Sequence, residues 1–188
     1  ASFVLPPEYD PSKPMPLVVV FEKSNATARG VAAAQTGARF GHAWVTLDKP
    51  VGGSFHQLVV TAGDLPAILR EIRRHIHVDM DRVYLLGANG DADAAWITGI
   101  MYPNQFAGVI AISGFPRVPY AEQSYAFLLP NLRGTPLLSM WTENPAGQVP
   151  SPVSAVNKAI ADFALAAGLP FETATLAQNR PGWGPFPP

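Results

Sequence analysis

The segment RVYLLGANGDADAAW, residues 82–96, has the local pattern of a site for nucleophilic catalysis. An apolar run at 83–86 predicts a buried strand, and a Gly-containing corner follows before a helix of small residues. One large group of enzymes places a serine nucleophile at such a corner, in the pattern G-x-S-x-G. Here the middle residue is Asn89. An amide has no readily lost proton and cannot replace an activated serine, so the sequence predicts the corner without its nucleophile.

The histidines are placed wrongly for a base acting at this corner. In folds built around it, the catalytic residues occur in the order Ser, then Asp or Glu, then His. All four histidines (His42, His56, His75 and His77) precede Asn89. A displaced histidine would have to lie beyond Pro188, in a longer natural chain. His75 and His77 also suggest a metal site, but an i, i+2 pair at a helix end points apart, so no metal is predicted.

Two serines and two aspartates are the other candidates for chemistry. Ser113 and Ser139 lie in or at the end of predicted strands, and either could be a relocated nucleophile. Without a base in reach, we expect their hydroxyls to bond to the backbone instead. Asp91 and Asp93 begin the helix after the corner, where negative charge offsets the helix dipole. Capping is therefore favoured over catalysis for both aspartates.

The elements that would position these residues form an alternating pattern. Apolar runs alternate with amphipathic segments, which predicts an α/β fold: a three-layer α/β/α sandwich with a mostly parallel, doubly wound sheet. The predicted strands cover 17–21, 42–47, 83–86, 109–112, 136–141 and 171–176, and the predicted helices cover 27–36, 64–76, 91–101 and 151–168.

Two of these helices have a predicted buried face. In the helix at 64–76 the apolar face consists of Leu65, Ile68, Leu69, Ile72 and Ile76. Its arginines, Arg70, Arg73 and Arg74, fall on the opposite face and are read as a solvated surface rather than an anion site. In the helix at 151–168 the predicted apolar stripe consists of Val156, Ile160, Phe163 and Ala167.

Composition narrows the partners and the class of protein. Of the 188 residues, 48% are hydrophobic and 14% are charged, with a formal net charge of −1, so neither nucleic acid nor an anionic membrane is an expected partner. No residue is cysteine, which excludes disulfides and thiolate sites but leaves the compartment open. No apolar run is long enough to span a bilayer, and no signal peptide opens the chain, so we expect a soluble protein without membrane insertion.

The expected domain organisation is one domain over residues 1–188. A chain of this length buries a sufficient core on its own. A strand is expected almost at Ala1, and the chain stops soon after its last predicted strand. This suggests a fragment or one domain of a longer protein, in which a neighbouring domain would be a partner.

Several phrases of the sequence resemble the α/β-hydrolase superfamily, particularly its esterase, phospholipase/carboxylesterase and polyhydroxyalkanoate-depolymerase-like branch. The opening FVLPPEYDPSKPMPLVVVF is similar to the segment that leads into the oxyanion loop. VDMDRVYLLGANGD resembles the nucleophile segment, and YPNQFAGVIAISG resembles the strand that follows. GTPLLSMWTENP resembles the segment with the acid, and PGWGPF falls where the base would be. The resemblance implies a minimal hydrolase fold without a large lid domain.

The same resemblance places the family's working residues on this chain. The nucleophile falls on Asn89, the acid on Asn144 with Glu143 as the alternative, and the base on Trp183. An indole N–H only donates and cannot accept a proton. In the oxyanion region, Glu22 and Lys23 stand in place of a His-Gly pair, and Gly90 remains as one backbone donor. A carboxylate there would repel the developing anion. Trp141 and Trp183 are expected to fill the former substrate cleft.

Two functions are consistent with this sequence. The first is a catalytically inactive pseudo-esterase with a binding, scaffolding or regulatory role, whose protein partner or small ligand is not specified by the residues. The second is a serine esterase or carboxylesterase-type hydrolase with relocated or truncated catalytic residues. Whether the chain is an enzyme therefore stays open. The residues at the nucleophile, acid and base positions favour a protein without catalytic activity. No cofactor is implied by either function.

Overall fold

The computed structural model describes residues 2–22, 37–48, 65–88, 91–116, 125–143 and 152–176. In chain order, the strands are β1 (Ser2–Val4), β2 (Met15–Glu22), β3 (Ala43–Asp48), β4 (Val78–Ala88), β5 (Gly108–Ile112), β6 (Leu137–Thr142) and β7 (Phe171–Leu176). The helices are α1 (Leu65–His75), α2 (Ala92–Met101) and α3 (Pro152–Ala166), with 3-10 segments at Pro103–Gln105 and Tyr125–Gly134. The helix predicted at 27–36 lies outside the described residues.

One sheet of seven strands, in the order β1-β3-β2-β4-β5-β6-β7, forms the centre of the molecule. Every neighbouring pair is parallel except β1 and β3. The central strands are continuous apolar runs because helices cover them; Val19, Val83 and Leu85 are completely buried. The predicted α/β fold with a mostly parallel sheet is confirmed.

Strand β4 is longer than predicted. It begins at Val78 rather than Val83, and its register with β2 shifts between the pair Met15–Val78 and the pair Leu17–Val83. Asp81 and Arg82, in this added stretch, are exposed. The prediction missed the stretch because its charged residues interrupt the apolar run at an irregular register.

Helices α1 and α2 are covered to different extents. In α1, Leu65, Leu69 and Ile72 are buried, and the three arginines are exposed, as the apolar spacing predicts. Helix α2 is buried on nearly all sides and packs against β4 and β5. Its alanines and glycine permit this close packing. No helix in the described ranges is long and apolar enough to cross a membrane.

The buried face of α3 differs from the predicted one. The structure buries Ser154, Asn157, Ile160 and Ala164, whereas Phe163 is 47% exposed and Ala167 is exposed. Of the predicted stripe, Ile160 is buried and Val156 is partly buried. The prediction failed because it assigned polar side chains to the outer face. Asn157 is instead held inside by hydrogen bonds to the sheet and the loop after β5.

Candidate functional site

The carboxyl ends of β2 and β4 mark the crevice where open α/β sheets bind ligands. From β2 the chain continues to β3 on one side, and from β4 it continues to β5 on the other. Ligands bind outside the strand ends at such a switch point. Phe21 pairs with Gly87, so Glu22 and Ala88 end their strands at the same level. The candidate site is therefore the carboxyl edge of the sheet around these two ends.

Gly87 allows α2 to start directly beside the end of β4. A Cβ atom on Gly87 would overlap the backbone carbonyl oxygen of Asp91 and would lie 2.8 Å from the Cβ of Ala95. A backbone carbonyl cannot move away without displacing the helix. The close approach of the start of α2 to the end of β4 thus depends on the missing side chain at Gly87.

The residues assigned to catalysis by resemblance are only partly within the described ranges. Asn89, Gly90, Asn144, Trp183 and Lys23 lie outside them. Glu22 is described as the last residue of β2. The degenerate nucleophile, acid and base therefore remain predictions from the sequence, and so does the altered oxyanion region.

Glu143, the alternative acid, lies just after β6 and is engaged by a cation. Its Oε1 is 3.0 Å from Nζ of Lys158, with side-chain exposures of 44% and 54%. A half-exposed pair of this kind contributes about 1 kcal/mol or less to stability. Its chemical effect is to place a positive charge against the carboxylate. In a catalytic triad, the carboxylate would instead be directed at a histidine, whose imidazole it orients.

All three described histidines lie at the opposite, amino edge of the sheet. His42 immediately precedes β3, His75 ends α1, and His77 immediately precedes β4. Nδ1 of His77 is 3.3 Å from the backbone oxygen of Pro11, and Nε2 of His75 is 3.3 Å from Oε1 of Glu71. Within the described ranges, the carboxyl edge thus holds no imidazole.

Two carboxyl groups have clearly lowered pKa values, and both belong to this amino side. The Ser12 hydroxyl and backbone N–H lower the pKa of Asp10 by hydrogen bonding to its carboxylate. The guanidinium of Arg82 lowers the pKa of Asp79 through a 2.7 Å hydrogen bond. These shifts are explained by exposed ion pairs and local turns, so they do not mark a catalytic group. Among the described residues, no group of three or more His, Asp or Glu could hold a metal ion.

Ser113 has an unusual backbone conformation at the carboxyl end of β5. With φ of 59°, it is the one non-glycine residue of the described chain in the left-handed region. That conformation costs an L-residue roughly 1–2 kcal/mol. Strain of this kind persists only where surrounding contacts hold it, and it is often found at functional sites. Neither its position nor its type in the sequence indicated this strain.

The loop from Ser113 to Phe115 is held by three separate elements. The Ser113 N–H donates to the oxygen of Met140 in β6 at 2.7 Å. The Gly114 oxygen accepts a 3.0 Å hydrogen bond from Nδ2 of Asn157 in α3. The Phe115 N–H donates to Oδ1 of Asp93 in α2 at 3.2 Å. These three bonds fix the loop at the edge of the candidate site.

Ser139 and the aspartates have structural partners that the sequence did not predict. The buried hydroxyl of Ser139 donates to Oδ1 of Asn157 at 2.7 Å, rather than to the backbone. Asp91 occupies the N-cap position of α2, but its side chain makes no capping hydrogen bond. Asp93 lies in the first turn of α2, as predicted, and its carboxylate also accepts a hydrogen bond from the Phe115 N–H in the loop after β5.

Trp141 lies in β6 next to this loop. It is 3% exposed, and its buried Nε1 has no hydrogen-bond partner among the described residues. An unsatisfied buried N–H costs stability, while the large ring area buried around it favours folding. The structure thus places Trp141 in the packed interior near the carboxyl ends of β5 and β6. Its predicted filling of a former cleft stays a prediction.

Comparison with solved structures identifies the fold. A thermostable esterase matches with a TM-score of 0.72 and 18% sequence identity, over 97% of this chain and 52% of that one. The S-formylglutathione hydrolase from Staphylococcus aureus matches with a TM-score of 0.67 and 11% identity, over 94% of this chain and 85% of that one. A ferulic acid esterase matches with a TM-score of 0.59 and 15% identity, over 89% of this chain and 80% of that one.

The sequence comparisons are negative. No protein-family model matches the chain, and no curated protein matches it significantly. The chain spans about half the length of the thermostable esterase. At identities of 11% to 18%, the structural matches describe architecture rather than activity. The chain therefore has the α/β-hydrolase fold, as the resemblance of its sequence phrases implied.

Proposed function

We propose that this chain is a pseudo-esterase, a domain of α/β-hydrolase fold that binds a partner or ligand without hydrolysing it. The observation that carries the proposal is the position of the histidines. The described ones lie at the amino edge of the sheet, and His56 also precedes the corner in the chain. Within the described part of the chain, a hydroxyl at the carboxyl edge would therefore have no imidazole to take its proton; His56 lies outside that part.

The second feature in support is the set of residue types at the corner and at the acid position. Asn89 supplies no nucleophile, and Glu143 is paired with Lys158. The hydrogen-bonded loop at Ser113–Phe115 and the carboxyl edge around the ends of β2 and β4 remain as a surface on which a ligand could bind. On this proposal the fold is retained for binding.

Hydrolysis of p-nitrophenyl acyl esters tests this proposal. We expect the purified chain to release p-nitrophenol no faster than an equal concentration of heat-unfolded chain. A second purification on a different column should remove any residual rate. A rate that scales with the concentration of the chain and persists through that second purification would contradict the proposal.

A serine esterase or carboxylesterase-type hydrolase is the second candidate function. It is favoured by the names of the structural matches, which are esterases and hydrolases, and by the chain spanning about half of the thermostable esterase. Residues outside the range 1–188 would then complete the site. Within this chain, the strained Ser113 is the candidate for a relocated nucleophile.

The Ser113→Gly variant separates the two candidate functions. Glycine adopts φ of 59° without strain, so we expect the free energy of unfolding to rise by about 0.5–1 kcal/mol in urea titrations. For a pseudo-esterase, ester hydrolysis stays at background in both proteins. A relocated nucleophile at Ser113 predicts instead a measurable wild-type rate that falls at least about 100-fold in the variant.

A further inference from the structure

Within the described residues, strand β7 is an edge of the sheet whose one charged residue is Glu172. In the described part of the chain it pairs with β6 alone. Its six residues, FETATL, include no lysine, proline or glycine, and its pairing with β6 shows no bulge. Natural edge strands are usually short, bulged or marked by lysine or proline, which prevents pairing with other chains. The opposite edge follows that rule, because β1 has three residues.

The outward backbone groups of β7 can be assigned from its ladder with β6. The N–H of Leu137 donates to the oxygen of Pro170 at 2.9 Å, and Leu137 pairs with Phe171. In a parallel ladder, alternate residues direct both backbone groups to the same neighbour. Glu172 and Ala174 therefore bond to β6, whereas Thr173 and Thr175 direct their N–H and C=O groups away from the sheet.

Exposed apolar side chains lie on α3, the helix that packs against β6 and β7. Leu165 is 83% exposed and Phe163 is 47% exposed, and Leu165 is the most exposed large hydrophobic residue of the described chain. Among the described residues, the strand edge of β7 is thus accompanied by apolar surface on the helix beside it.

We propose that β7 pairs antiparallel with β7 of a second copy of this chain, about a two-fold axis at Ala174. An antiparallel edge is self-complementary, so one patch serves both partners. In this register Thr173 exchanges both backbone hydrogen bonds with the partner's Thr175, and the small Ala174 meets its copy. The two Glu172 carboxylates are then four residues apart along the strands, roughly 13 Å, which limits their repulsion.

Charge permits pairing with a second copy, and the size of the surface sets the strength of the contact. The exposed charges of α3, Lys158 and Asp162, have opposite signs, so this surface repels neither itself nor a neutral partner. The exposed residues of α3 and β7 are fewer than the roughly 20–30 that each side of a standard interface contributes. We therefore expect a weak dimer, with a Kd on the order of 10 μM.

Sedimentation velocity on the 188-residue chain, from about 1 to 300 μM, tests the pairing. The wild type should shift from the 20.1 kDa monomer to a dimer of twice that mass across this range. Thr173→Pro removes an outward N–H without touching the ladder with β6, and should weaken dimerisation at least about tenfold. Thr173→Val keeps the N–H and the side-chain shape, so it should dimerise like the wild type. Circular dichroism checks that both variants are folded.

Leu165→Lys supplies a second variant that leaves the strand intact. It adds a charge to the apolar surface and should weaken the dimer at least about fivefold. A wild-type chain that stays monomeric up to 300 μM would overturn the proposal. Equal dimerisation by folded Thr173→Pro and Thr173→Val would overturn it too, as would assembly beyond a dimer.

Discussion

The Gly87→Ala variant is expected to lose about 3 kcal/mol of stability, measured by urea unfolding. The added Cβ would overlap the backbone oxygen of Asp91 and approach Cα of Ala92 to 3.0 Å. These atoms belong to the start of α2, which is buried between the sheet and its neighbours. Relief would require the whole helix to move away from β4, and the packing of both would be lost.

Gly108→Ala is the matched control, because Gly108 is also a buried strand glycine. Its added Cβ would lie 3.4 Å from Cδ1 of Tyr84 and 3.5 Å from the oxygen of Pro136, which is ordinary contact. We expect a change within about 1 kcal/mol, in the stabilising direction if the lower entropy of the unfolded chain dominates. A Gly87→Ala variant as stable as Gly108→Ala would show that the close approach of α2 is not required.

The contrast between Gly87 and Gly108 shows why the glycine at the end of β4 is retained. The close packing of α2 against the end of β4 needs Gly87 whether or not a nucleophile follows it. Retention of the corner is therefore explained by topology, and it does not by itself indicate catalysis.

The Asn157→Leu variant is expected to lose about 3 kcal/mol. Asn157 is completely buried and makes three hydrogen bonds, to Ser139 Oγ at 2.7 Å, Gly114 O at 3.0 Å and Val153 O at 2.8 Å. Leucine has similar volume but leaves the hydroxyl of Ser139 and the oxygen of Gly114 without this partner. Each unsatisfied buried group costs about 1–3 kcal/mol. Urea unfolding measures the loss.

Two comparisons isolate this network. Asn131 is exposed and donates one hydrogen bond, to Ile100 O at 3.2 Å, so Asn131→Ala should cost about 1 kcal/mol or less. In a double-mutant cycle, Ser139→Ala should cost less in the Asn157→Leu background than alone, by about 1 kcal/mol. Strict additivity of the two substitutions would contradict the coupling between Ser139 and Asn157.

The strands and the order of the elements could be predicted because burial on both faces leaves continuous apolar runs. β2 and β5 have such runs and appear close to their predicted positions. The first part of β4 could not be predicted, since its exposed Asp81 and Arg82 obey no apolar pattern. A strand almost at Ala1 is expected and is observed as β1, Ser2–Val4, but its antiparallel direction could not be predicted from three residues.

The sequence predicts a site at the corner after β4, but it does not predict the side chains that support the neighbouring loop. Hydrophobic periodicity predicts that the polar residues of α3 face solvent. Asn157 is polar but buried, so this rule assigns it to the wrong face. A signal did exist, because Asn157 lies at helical spacing from Val153, Ile160 and Ala164. The bond between Asp93 and Phe115 joins residues 22 apart, and such contacts depend on the tertiary arrangement of α2 and β5.

A pseudo-esterase of this fold should contain no activated serine. Intact-mass analysis of the 188-residue chain after treatment with a fluorophosphonate tests this directly, with an active serine hydrolase in the same reaction as a positive control. We predict that the mass of the chain stays at its unlabelled value while the control is fully modified. Stoichiometric addition of one phosphonyl group to the folded chain, absent after heat unfolding and mapped to a serine, would show that the chain retains a catalytic nucleophile.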